Sequence, residues 1–297
     1  MQELVKINNL SKKYRKNSFY SLKDVNVTIN DGDIIGLIGK NGAGKSTFLK
    51  LITKAINPTT GSIEYKGQNI HQADNVLEPF GIMIETVFLP YLSVIDNLNF
   101  YLEIHNKTEY KDNIKNTLNL VGLWAHRNRK PADFSFGMKQ RVALAIALVT
   151  EPSFLILDEP FVGLDPVGVS NLIDILKQWA SKRQVTMIIS SHQLEELESL
   201  CTRYIFIDQG QLRKAFNKNV ALMEIQTTKL SDDLIKTLKQ YGQTVEYNAQ
   251  NNKIVISKDI SQKDLNNLLL ILTQAQVINS ISNNNSQLKG FFDTEKG

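Results

Sequence analysis

An apolar run, Ile34-Ile35-Gly36-Leu37-Ile38, leads directly into Gly39-Lys40-Asn41-Gly42-Ala43-Gly44-Lys45-Ser46-Thr47. The spacing is G-x-x-x-x-G-K-S, placed between a predicted strand and a predicted helix. That order restricts the fold to an α/β arrangement and the ligand to something rich in phosphate. A nucleoside triphosphate is a dense anion and must be wrapped in backbone N–H groups. Glycines let the backbone come close and adopt positive φ. A helix starting near Lys45 aims its partial positive charge at the same place. Lys45 is placed to neutralise the β- and γ-phosphates, and the Ser46 hydroxyl to ligate Mg2+.

A second apolar run, Phe154-Leu155-Ile156-Leu157, ends in Asp158-Glu159-Pro160. It reads as a strand buried on both faces with two acids at its carboxyl end. In open α/β sheets that end is where ligands bind. Asp158 is suited to hold Mg2+ through water, and Glu159 to polarise a water attacking the γ-phosphate. Thr186-Met187-Ile188-Ile189 is a matching strand, with a helix over 167–182 between the two. The alternation predicts a parallel sheet. Earlier strands are expected at Leu4–Ile7, Val25–Ile29, Ile34–Ile38 and Ser62–Tyr65. Residues 90–150 read as mostly helical from the spacing of Leu98, Leu102, Ile114, Leu118 and Leu123.

Composition narrows the class of function. At 297 residues the chain has room for about two domains. A net charge of +4 is small for that length and does not argue for nucleic acid, though it suits an anionic membrane surface. Cys201 is the single cysteine, so no intrachain disulfide forms, and its expected role is that of a small buried hydrophobe. The N-terminus lacks the apolar core of a secretory signal. The longest apolar run, Val142 to Val149, is far below the roughly 20 residues a bilayer requires. A membrane role therefore calls for a separate membrane-embedded partner.

Taken with these motifs, the chain resembles the ATP-binding subunit of ABC transporters over roughly residues 3–212. Ser135-Phe136-Gly137-Met138-Lys139-Gln140-Arg141 resembles the family's signature loop. Gly163-Leu164-Asp165-Pro166 resembles its D-loop, and Ser190-Ser191-His192 its switch-histidine segment. Tyr14 stands where the family stacks an aromatic on adenine, with Phe19 and Tyr20 as nearby alternatives. The resemblance implies a P-loop cassette: a RecA-like α/β core, an antiparallel β subdomain and a helical subdomain. It implies ATP and Mg2+ as ligands, bound by a head-to-tail sandwich of two such domains. Ser135 and Gly137 would reach the γ-phosphate held by the other copy, and Asp165 would sense that copy. His192 would position the attacking water with Glu159.

Two positions depart from the usual family pattern. The signature reads Phe134-Ser135-Phe136-Gly137-Met138 rather than Leu-Ser-Gly-Gly-Gln, and Glu85 aligns with the Q-loop glutamine as a Mg2+ ligand. Both features resemble bacterial exporters of antibiotics, peptides and lantibiotics. The implied partners are a second ATPase subunit, identical or paired, and an integral membrane permease that contacts the segment Val87–Leu92. The implied location is cytoplasmic, at the inner face of the cell membrane, and no nucleic-acid partner is expected. The competing readings are a soluble ABC ATPase acting on ribosomes or nucleic acid, and an ATP-switched binding module without turnover. The chain has one cassette, no sustained heptads and no basic surface interleaved with aromatics, which disfavours the former. Glu159 and His192 disfavour the latter.

Beyond residue 215 the texture changes. The order strand 220–227, helix 231–241, strands 245–247 and 254–256, helix 261–274 and strand 277–281 predicts a ferredoxin-like α+β domain over 216–297. The expected boundaries are thus 1–215 for the cassette, with its helical part at about 90–150, and 216–297 for an accessory or regulatory domain.

Overall fold

The computed structural model describes residues 2–15, 17–84, 88–217, 221–257 and 260–282. The chain divides into two compact units, 1–217 and 218–297. In chain order the first contains β1 (Glu3–Lys12), β2 (Leu22–Asn30), β3 (Ile34–Ile38), α1 (Lys45–Ile52), β4 (Thr60–Tyr65), β5 (Gln68–Asn69) and β6 (Phe80–Met83). It continues through α2 (Val94–Ile104), α3 (Asn113–Leu120), α4 (Phe136–Leu148), β7 (Phe154–Asp158), α5 (Pro166–Arg183), β8 (Thr186–Ser190), α6 (Leu194–Leu200), β9 (Arg203–Asp208) and β10 (Gln211–Asn217).

Two sheets form. One is antiparallel with order β2-β1-β4-β5; the other has order β10-β9-β3-β8-β7-β6. In the second, β9, β3, β8, β7 and β6 run parallel, and β10 closes the edge antiparallel to β9. Its central strands carry little but buried apolar side chains because both faces are covered. Helix α1 brings Phe48, Leu49 and Ile52 into a single core with Val5, Ile7 and Ile29 of one sheet and Ile35, Leu37 and Ile156 of the other. Phe80 stacks on Phe154 with ring centroids 4.5 Å apart, and Tyr65 meets Phe80 edge-on at 5.0 Å. Each such fully buried side chain contributes about 1.5–3 kcal/mol.

Parallel pairing has a direct consequence for chemistry. It gathers the carboxyl ends of several strands at one edge. Register places Asp158 beside Ser190, Leu37 beside Ser190, and Met83 beside Leu157. The glycine loop leaves β3 at this same edge.

The second unit contains β11 (Ala221–Thr227), α7 (Asp232–Lys239), β12 (Val245–Asn248), β13 (Lys253–Ser257), α8 (Gln262–Gln274) and β14 (Ile278–Ser282). Its sheet is wholly antiparallel with order β12-β13-β11-β14, the ferredoxin-like arrangement. Ser231 and Ser261 cap α7 and α8, accepting hydrogen bonds from the N–H groups of Leu234 and Asp264. Ile225, Ile254 and Ile256 of the sheet pack with Leu238, Leu265, Leu268 and Leu272 of the helices.

Candidate active site

Gly44 caps α1 with φ +114, and no side chain caps the helix there. A Cβ at Gly44 would lie 2.6 Å from the Ser21 carbonyl oxygen, so both the dihedral and the space demand glycine. The first N–H groups of α1 are thus left to an external acceptor. Gly39 and Ala43 are buried, while Lys40, Asn41, Gly42 and Ser46 face solvent and Thr47 is half-buried. Lys45 is only 6% exposed. Its Nζ donates to the Gly39 carbonyl at 2.7 Å and lies 3.5 Å from Glu159 Oε1. The side chain therefore folds back over the loop, its charge balanced by a carboxylate.

That carboxylate follows the end of β7. Glu159 has φ +49, a left-handed conformation that turns the chain sharply out of the strand. Its N–H donates to Ser190 Oγ at 2.9 Å, and the Ser190 hydroxyl in turn donates to Asp158 Oδ1. Glu159 Oε2 lies 2.9 Å from His192 Nδ1. One hydroxyl on β8 thus fixes Asp158 at the end of β7 and Glu159 just beyond it, and one acid joins a lysine to a histidine. Sequence reasoning placed Ser190 only within the histidine segment and did not find this bridging role. The available signal was a serine ending an apolar strand that neighbours the acidic one. Asn41, Met83, Gln140, Asp158, Glu159 and His192 line a cavity of about 350 Å3.

Ser135-Phe136-Gly137-Met138 and the loop holding Asp165 form a second cluster. Ser135 caps α4, its Oγ accepting from the Met138 N–H at 3.3 Å. Asp165 caps α5, its Oδ1 accepting from the Gly168 N–H at 2.7 Å. Phe136 lies against Gly163, and Gly137 against Leu164. Tyr14 is half-buried, with the Lys12 ammonium 5.3 Å from its ring centroid; Phe19 and Tyr20 are exposed. Cys201 is buried. Glu85 lies outside the described residues.

Among the described residues no cluster of three or more His, Cys, Asp or Glu could hold a metal. The donors at this edge, the Asp158 carboxylate and the Ser46 hydroxyl, are hard oxygens. They fit Mg2+, which keeps waters and binds one or two protein groups together with substrate phosphates.

A separate groove of about 510 Å3 is lined by Ile82, Ile84, Tyr101, Ile104, His105 and Ile146. Tyr101 and His105 touch with ring centroids 4.5 Å apart. Burial first, and then the nearby Lys107 charge, hold the His105 pKa below its ordinary value, so the imidazole is neutral at pH 7. Ile104 is 56% exposed and Tyr91 79% exposed, whereas Phe88 is half-buried.

A family model described as ABC transporter matches residues 22–162. The lantibiotic transport ATP-binding protein SrtF of Streptococcus pyogenes is 39% identical over 225 residues, covering 75% of this chain and 95% of SrtF. This chain belongs to the ABC transporter ATP-binding family. The bacitracin transport ATP-binding protein BcrA of Bacillus licheniformis, a further relative of this ABC protein, is 36% identical over 71% of this chain and 69% of BcrA. In fold, the ABC cassette is similar to a solved dimeric ATP-binding cassette in a post-hydrolysis state bound to ADP and Pi. That likeness has a TM-score of 0.65 and 24% identity, covering 72% of this chain and 99% of the other. This is accordingly an ATP-binding, ATP-hydrolysing subunit of an ABC transporter. No helix among its described residues is long and apolar enough to cross a membrane.

Proposed function

We propose that this ABC ATPase works as a pair of copies that clamp two ATP molecules and drive a separate membrane permease exporting an antibiotic or antimicrobial peptide. The observation that carries the catalytic part is the Glu159 carboxylate held between His192 and Lys45 at the mouth of the glycine loop. The segment Gly39 to Thr47 cradles the phosphates, and Lys45 swings from the Gly39 carbonyl to the β- and γ-phosphate oxygens. Glu159 accepts a proton from the attacking water, while His192 orients that water and the γ-phosphate. Tyr14 stacks on the adenine. Ser46, Asp158 and Glu85 would hold Mg2+, which would supply positive charge beside the phosphoryl group being transferred.

Ser135, Phe136, Gly137 and Met138 open α4, a helix start suited to an anion presented by a second copy. Asp165 lies beside that surface. The dimeric cassette bound to ADP and Pi supports this arrangement by likeness of fold. The apolar groove containing Ile82, Ile104 and His105 suits a helix from the permease at the inner face of the membrane, and Tyr91 offers it a further exposed aromatic. The lantibiotic and bacitracin transport roles of SrtF and BcrA support the choice of cargo. The boundary near residue 217 leaves 218–297 as an accessory domain.

The test is ATP turnover by purified protein alongside Glu159→Gln. Loss of hydrolysis together with an ATP-dependent dimer in size-exclusion chromatography supports the reading. A Glu159→Gln protein with normal turnover refutes it. Co-purification with a multi-span membrane protein, rather than with RNA, separates the transporter from a ribosome-directed ATPase.

A further inference from the structure

Gln140 belongs to none of the roles above, yet it lies in an unusual place. Its side chain is 8% exposed, and its Oε1 is buried without a hydrogen-bond partner. A buried amide oxygen left in this state destabilises a fold unless something visits it. The side chain lines two cavities at once. One is the 350 Å3 cavity shared with Asp158, Glu159 and His192. The other, about 370 Å3, runs between α4 and α5 past Arg141, Leu164 and Gly168. Gln140 also rides on the helix whose N-cap is Ser135, five residues earlier and about 7.5 Å along the axis.

We infer that Gln140 is a positioning residue for ATP hydrolysis, its carbonyl oxygen accepting a hydrogen bond from water held in the cavity beside Glu159. The bond ties α4 to the reacting centre. A helix that presents Ser135 outward is then held in register with the carboxylate that takes the water's proton. An apolar side chain of similar length would fill the same space and offer no such tie. This inference rests on the catalytic reading of Glu159 given above.

The test compares wild type, Gln140→Met and Glu159→Gln in the full chain, measuring kcat, KM for ATP and the melting temperature. Methionine keeps length and helix propensity while removing the acceptor. The expected result for Gln140→Met is a kcat about tenfold lower, the factor carried by one hydrogen bond of ordinary net strength. KM should stay within about twofold, because nucleotide binding does not use this group. The melting temperature should hold, since methionine fills the same buried volume on the helix and the bond removed is one to water rather than to the fold. Unchanged kcat would overturn the inference. So would a joint loss of kcat, ATP binding and thermal stability, which marks a purely structural residue. If Glu159→Gln is inactive while Gln140→Met turns over normally, only the role of Gln140 fails. If Glu159→Gln itself turns over normally, the catalytic reading falls first.

Discussion

The two units of this chain are both sheets covered by helices, yet only one gathers reactive groups. In the cassette, β3, β6, β7 and β8 run parallel, and their carboxyl ends deliver the glycine loop, Met83, Asp158 and Ser190 to a single edge. In the second unit every strand pair is antiparallel, so successive ends alternate between opposite edges. Its polar groups are spent locally instead: Lys253 pairs with Glu224 across β13 and β11, and Tyr247 donates to Asn252 Oδ1 within one hairpin. Strand direction, more than helix content or core size, decides which unit can concentrate charge on a ligand.

The sharpest way to break this contrast is at the convergent edge. Glu159→Gln is expected to lower kcat by about 100-fold or more, since a positioned general base contributes about 10²–10⁴-fold. Phosphate release under saturating ATP measures it. Lys45→Ala should remove turnover as well, but through weakened nucleotide binding, detectable with a fluorescent ATP analogue. Should either variant retain near-normal ATPase, the edge is not the site.

Ser190→Ala tests how the edge is held. The substitution removes the hydroxyl that donates to Asp158 and accepts from the Glu159 N–H. A kcat about tenfold lower, with a folded protein by circular dichroism, is the expected outcome. An unchanged rate would show that strand pairing alone places both acids.

Smaller effects on ATPase are expected from the second unit. Ile254→Ala, in its core, should destabilise that unit by about 2–5 kcal/mol in a denaturant titration. ATP turnover should change by less than twofold. Ending the chain at Asn217 should leave a folded ATPase with a rate within about threefold of the full chain. An insoluble or inactive product would mean that the accessory unit supports the cassette after all.

Much of the fold was legible because long-range order here follows from local chemistry. The buried strands announced themselves as unbroken apolar runs, and Ser231 and Ser261 marked two helix starts in the second unit. Two buried strands nevertheless escaped, β6 at Phe80–Met83 and β9 at Arg203–Asp208, short apolar runs with no glycine loop or acidic pair to single them out, and the other misses were polar or irregular. β1 was expected at Leu4–Ile7 but extends over Glu3–Lys12. Its second half is obscured by Asn8-Asn9, where Asn9 takes φ +47 and the pairing shifts register. β10 opens with the polar sequence Gln211-Leu212-Arg213-Lys214, which hides its pairing with β9 and the packing of Leu212 on the core. The turn Asp208-Gln209-Gly210 before it was the available cue.

At the candidate site, the sequence motifs supplied the participants but not their contacts. Spacing placed Lys45 in the loop, Asp158 and Glu159 after one strand and His192 after another. Nothing in spacing indicated that Lys45 reaches back to the Gly39 carbonyl, or that Ser190 braces two acids. Those depend on strand register and on the left-handed turn at Glu159, which are set across more than 30 residues of intervening chain.

The contact between Phe136 and Gly163 carries an evolutionary implication. A Cβ at position 163 would fall 2.3 Å from the phenylalanine ring, on a backbone with φ +74. The aromatic that replaces the usual signature glycine is therefore conditional on a partner 27 positions away. The constraint runs one way: the positive φ strains any side chain at 163 whatever stands at 136, so it is position 163 that has to stay small. Grafting this signature segment alone onto a cassette whose position 163 bears a side chain should therefore fail.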